Sequence, residues 1–246
     1  MIDDILTIVR KELWEMIVQR SSLRSGIIRS LVLPLLILGV WLPIQSGPEW
    51  ITESFGPLLW TWFPVFVVSS MICDAFAGER ERHTLETLLA SRLSDSAILY
   101  GKIAGAMAYG WGLTVAGVVL SVVTVNVTHW QGHVLMFETQ ALVGMLLLSL
   151  LASAMASGAG VLLSLRAKSV RDAQQTLSIA LMVLFFGIGF GAKSLPAAWQ
   201  KWIFQFFLGA NLVATGIAVA LVLLAIDAAL ILAARARFQR AKLALD

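Results

Sequence analysis

The feature that most constrains this chain is a run of six long apolar segments with almost no charge inside them. They lie near residues 26–44, 57–77, 98–125, 139–165, 174–192 and 207–234. A bilayer core about 30 Å thick is crossed by ~20 mostly apolar helical residues. In lipid the backbone must satisfy its own hydrogen bonds, which continuous helices do. Composition agrees. A soluble domain carries roughly 25% charged residues, whereas this chain of 246 residues has 13%, with 59% hydrophobic. So little charge cannot cover a water-soluble globule, but it suffices where most of the outside faces lipid. The expected fold class is therefore an all-α integral membrane protein with six transmembrane helices.

Charge sets the expected orientation. With the N-terminus placed in the cytoplasm, sixteen of the 18 lysines and arginines fall on the inner side, leaving Lys193 and Lys201 outside. This is the positive-inside bias. It predicts a multi-pass protein of the cell (inner or plasma) membrane with both termini cytoplasmic, hence an even number of crossings. Trp41, Trp50, Trp60, Trp62, Trp130, Trp199 and Trp202 fall near the outer ends of the segments, where amphipathic rings favour the interface. The net charge of +3 then reads as orientation, and no nucleic-acid partner is expected. The single cysteine, Cys73, allows no internal disulfide and reads as a small buried residue. No cleavable signal peptide is expected, since the chain opens on Asp3 and Asp4 rather than a basic stretch.

Before the first span, residues 3–24 carry Ile5 and Leu6, Val9, Leu13, and Met16 and Ile17 at helical spacing, with Arg10, Lys11, Glu12 and Glu15 at other positions. Such a helix lies in the headgroup plane rather than crossing. Pro34 and Pro64 are expected to kink their spans, which membrane helices tolerate. Glycines and small residues in the third and fourth spans favour close helix packing. The outer loops at 45–56 and 126–138 are short, and residues 193–206 read as an amphipathic or re-entrant outer helix. His129 and His133 have metal-ligand spacing on a helix but no fixed third ligand, so they read as solvated loop residues, and no metal site is expected.

The loop after the second span carries the most information. Gly78 is placed to end the membrane helix. Glu79, Arg80, Glu81 and Arg82 follow with alternating sign, and Leu85, Leu88 and Leu89 then make the apolar stripe of a short helix. Ser94 or Asp95 is placed to cap the next helix. The short helix must bury its stripe against the chain's own helices, against headgroups, or in the groove of a partner.

The run Gly78–Glu81, then Thr84-Leu85-Glu86, Leu88–Ser91, Leu93-Ser94 and Gly101-Lys102, resembles the motif of ABC-2-type permeases, the membrane subunits of ATP-binding-cassette exporters of the type V fold. The whole layout is similar to that family. His83 and Arg92 depart from it, standing where the family usually has Gly and Pro. The resemblance implies a single permease domain over 1–246: an N-terminal elbow helix (1–25), six spans (26–234) and a basic cytoplasmic tail (235–246). It further implies a coupling helix around Thr84–Ala90 seated in a groove of a nucleotide-binding subunit, and a re-entrant segment before the sixth span. Glu79, Arg80, Glu81 and Glu86 would then bond with the elbow helix, whose polar residues include Arg10, Lys11, Glu12 and Glu15, and with the ATPase. The implied partners are ATPase subunits and a second permease copy or similar permease, paired across the first and fifth spans. The chain contains no G-x-x-x-x-G-K-[ST] phosphate loop; around Gly101-Lys102, Ser96 stands where the first glycine would be and Ile103 where the Ser or Thr would be. ATP and magnesium therefore belong to a partner, and this chain is expected to be neither catalytic nor cofactor-bearing.

Two carboxylates fall within apolar segments, Asp74 and Asp227. Intramembrane acids mark functional sites by default, and they carry the rival reading, a secondary transporter or channel. The structural alternative pairs Asp74 with Lys102, Arg82 or the N-terminal helix, and pairs Asp227 with a base such as Arg235. A membrane enzyme would need a polar catalytic cluster, and the sequence shows none.

Overall fold

The computed structural model describes residues 2–18, 32–84, 92–201 and 212–238, with the backbone alone at 16–18, 184–185, 188–193 and 212. These residues form helices and turns, with no strand among them. The main helices are α1 (Ile2–Val18), α2 (Val32–Ser46), α3 (Phe55–Glu81), α4 (Asp95–Thr128), α5 (Thr139–Ser164), α6 (Val170–Ser194) and α7 (Leu212–Arg237). Local chemistry sets their ends. Ser94 Oγ accepts the Ala97 N–H at 3.2 Å and opens α4; Ser169 Oγ accepts the Asp172 N–H at 3.2 Å and opens α6. Asp3 and Asp4 occupy the first turn of α1, and Arg235 and Arg237 the last turn of α7, each complementing the helix dipole.

Among the described residues, α3, α4, α5 and α7 are long and apolar enough to cross a membrane, so the chain is a multi-pass membrane protein. Residues 32–46 form a shorter apolar helix; the earlier part of the expected first span lies outside the described residues. The expected fifth span falls within α6, 25 residues long. A short helix at 197–201 follows Pro196, where the outer segment was expected; residues 202–206 of that segment are not described.

The centre of the bundle is α5, which packs on α3, α4, α6 and α7, while α1 and α2 pack on α4. One face of α5 is built from Ser149, Ala152, Ser153, Ala156, Ser157 and Gly160, all buried. Lipid supplies no hydrophobic drive between helices, so small faces that admit close van der Waals contact hold the bundle together. Large apolar side chains such as Phe66, Val127, Leu221 and Val222 are exposed, as lipid-facing positions should be.

Two expectations change in the structure. Trp50 and Trp60 are fully buried rather than interfacial. The Trp60 ring occupies the notch left by Gly117 on α4. Gly78 does not end its helix. The backbone widens into a π turn over Asp74–Gly78 and continues to Glu81, and the chain turns at His83, whose φ is +56°. Gly78 instead leaves room for the Asp74 carboxylate, which a Cβ there would meet at 2.6 Å. In α2 the distortion is a π turn at Ile37–Trp41, ahead of Pro43. Pro43 has no N–H for the Gly39 carbonyl, and the Thr124 hydroxyl donates to that carbonyl at 2.9 Å.

Candidate functional site

Polar side chains collect at one end of the bundle, where α1, the last turns of α3, the start of α4 and the turn joining α5 to α6 meet. The end of α7 arrives there too, since Arg235 and Phe238 line a pocket with Asp95, Ser96 and Leu99. The chain's first helix and the end of its last described helix therefore share one side. The opposite end holds the loops 47–54 and 129–138. There Asn126 donates to Leu135 O and accepts from Leu135 N, at 2.8 and 2.7 Å, which commits its amide to pinning the loop.

Lys102 organises the polar end. It sits two turns inside α4, and its side chain is 1% exposed. Its Nζ donates to Glu12 Oε1 of α1 at 3.0 Å, to Glu79 Oε1 of α3 at 2.7 Å and to the Ala75 carbonyl at 3.0 Å. An ammonium has three protons to give, and all three are used. The ring of Phe76 lies 5.6 Å from the same nitrogen and stacks edge-on with Phe238, just beyond α7. One lysine thus joins α1, α3 and α4. The approach is possible because Gly101 and Gly105 face α1: a Cβ on Gly101 would stand 2.6 Å from Ile8, and one on Gly105 would stand 3.1 Å from the Glu12 Cβ.

The next residues tie α3 to the α5–α6 turn. The Arg80 guanidinium donates to Leu165 O at 3.0 Å and Ala167 O at 3.2 Å, among the orphan carbonyls past the end of α5. Glu81 Oε2 accepts the Val170 N–H at 3.3 Å in the first turn of α6. A cation at a helix C-terminus and an anion at an N-terminus both suit the helix dipoles. Arg82 bonds Asp74 Oδ1 at 2.6 Å. His83 and Thr84 are exposed.

Of the other residues singled out from sequence, Glu12 is buried in the Lys102 cluster, Arg10 and Lys11 face out, and Lys11 pairs with Glu15 at 3.3 Å. α1 therefore has an apolar exposed edge at Ile2 and Leu6, a charged edge, and a third edge at Ile8 and Glu12 packed on protein. Leu85, Glu86, Leu88 and Leu89 lie outside the described residues. Asp227 is buried on α7, and neither carboxylate oxygen has a hydrogen-bond partner among the described residues. Cys73 is buried, and no group of three metal-ligating side chains occurs among the described residues. The central place of Lys102 went unread in the sequence, although a lone lysine two turns inside an apolar helix, with acids at positions 12 and 79, was the available signal.

Residues 42–232 match the family model described as ABC-2 family transporter protein. No curated protein matches the chain.

Proposed function

The chain belongs to the ABC-2 family of transporter proteins, and on that premise we propose that it is the membrane-spanning subunit of an ATP-binding-cassette exporter, driven by separate nucleotide-binding subunits. In this reading it crosses the membrane six times with both termini in the cytoplasm. α1 is the elbow helix, and residues 84–90 form the coupling helix that sits in a groove of the ATPase. ATP and magnesium are bound by that partner.

The observation that carries the reading is the Lys102 cluster. The stretch 85–91 is flanked by Thr84, five residues from Glu79, and by Arg92, ten residues from Lys102, and Glu79 and Lys102 belong to one frame with Glu12. A push on residues 85–91 would therefore be delivered to α3, α4 and α1 together. Arg80 and Glu81 extend the same frame to α5 and α6. In this division of labour the charges of 79–82 stiffen the lever, while Thr84, Leu85, Glu86, Leu88 and Leu89 meet the ATPase. The rows Leu33, Leu36 and Ile37 on α2 and Ile179, Met182, Val183 and Phe186 on α6 are exposed and apolar. They suit pairing with a second permease across the first and fifth spans.

The test is association. Leu88→Asp with Leu89→Asp should leave the chain inserted and abolish co-purification with its nucleotide-binding subunit. Undiminished co-purification of that double variant would remove the coupling role.

A further inference from the structure

We propose that the loop joining α4 to α5 is a lipid-contacting surface: residues 129–138 lie in the interfacial layer of the bilayer, with Trp130, Val134 and Met136 set against the acyl chains instead of projecting into water. This does not rest on the ATPase reading.

The loop closes the end of the bundle opposite the Lys102 cluster. Along its apolar run exposure alternates: Leu135 is half-buried and Phe137 buried, whereas Val134 and Met136 are 61% and 65% exposed. Trp130, in the same loop, is 60% exposed. Large apolar side chains gathered on one short loop mark a surface that something covers. The helices on either side say what does. Val119, Val123 and Val127 are exposed at helical spacing on α4, and Val143, Leu147 and Leu150 are exposed at helical spacing on α5. Both are membrane-spanning helices, so the exposed residues of the loop continue two rows that already meet lipid.

The backbone gives a second reason. Lipid cannot serve an irregular backbone, so protein must. Asn126 does this in the middle of the apolar run. Its Oδ1 accepts the Leu135 N–H at 2.7 Å, and its Nδ2 donates to the Leu135 carbonyl at 2.8 Å. In a loop facing water, solvent would serve both groups. Charge does not oppose the placement: Glu138 is the only Asp, Glu, Lys or Arg between residues 129 and 138. An indole, apolar but for one N–H, favours the same layer.

Nitroxide labels on the full chain in lipid nanodiscs test this. Val134→Cys and Met136→Cys carry the probes. Val123→Cys supplies a lipid-facing reference on α4, and the exposed Glu53, as Glu53→Cys, a water-facing one at the same end. The native Cys73 is buried. For each label, the collision rate with oxygen, which concentrates among acyl chains, is divided by the rate with a water-soluble nickel chelate. At Val134 and Met136 the ratio should lie nearer to that at Val123, several-fold above that at Glu53. A ratio nearer to that at Glu53 puts the loop in water and overturns the proposal. Suppression of both collision rates means a protein cover, a second copy or another partner, and equally overturns it. A further measurement leaves the loop free of labels: Trp130→Phe should lower the tryptophan emission that brominated lipids quench. Quenchable emission unchanged by Trp130→Phe overturns the proposal as well.

Discussion

Replacing Lys102 by Met removes the cation that, among the described residues, pairs with the two carboxylates of this cluster. The Lys102 side chain is 1% exposed, and those of Glu12 and Glu79 are 8% and 12% exposed, so water reaches none of them well. Removing one partner of a buried ion pair costs about 3–5 kcal/mol. Independently, two like charges ~5 Å apart at an effective dielectric of ~20 repel by ~3 kcal/mol, which is the same size. The loss should appear first as detachment of α1, which among the described residues reaches the cluster through Glu12. At about 1.4 kcal/mol per tenfold, opening of α1 should become roughly a hundred- to a few thousand-fold more frequent. Hydrogen exchange of residues 2–18 in nanodiscs reads this directly. Glu12→Gln in the Lys102→Met background should restore part of the loss, with a coupling of about 1–3 kcal/mol. Exchange in α1 unchanged by Lys102→Met, or strictly additive single and double variants, would refute the reasoning.

Three further outcomes follow from the packing. Gly101→Leu places a side chain where Ile8 stands and should destabilise the α1–α4 contact by about 1–3 kcal/mol; protease cleavage releasing α1 measures it. Thr124→Val keeps the shape but removes the hydroxyl given to the Gly39 carbonyl, costing about 1 kcal/mol, seen as a lowered midpoint in mixed-micelle unfolding. His83→Gly relieves a left-handed backbone at φ +56°, worth ~1–2 kcal/mol. The flexibility of glycine returns ~0.5–1 kcal/mol of that, so the variant should melt slightly higher than wild type and His83→Val lower.

The helices were legible because membrane length and apolar continuity are one-dimensional properties. The start of α4 at Ser94 was legible for the same reason, since a cap is local. The faces of the helices were not. α4 and α5 are apolar all round, so no periodicity marks which side meets protein and which meets lipid. α3 is apolar in the same way, which is why its Trp60 reads as an interface ring and is a core residue. The partner of a buried charge is also a long-range matter: Glu12 and Lys102 are 90 residues apart, and nothing in α1 distinguishes Glu12 from Glu15 until α1 is laid on Gly101 and Gly105. The turn after α3 was misplaced because Gly78 is the usual terminator, whereas the left-handed position falls at His83. The resemblance had pointed there, since His83 stands where the family usually has glycine.

The central claim is that the segment after α3 meets a separate ATPase on the cytoplasmic face. Thr84 is exposed at the edge of that segment, and the chain's single cysteine, Cys73, is buried, so Thr84→Cys supplies a unique reporter thiol. Crosslinking from this position in intact cells should yield one adduct, with the ATPase subunit, while membrane-impermeant reagents added outside leave the thiol untouched. Labelling from outside, or an adduct only within the permease itself, would contradict the account.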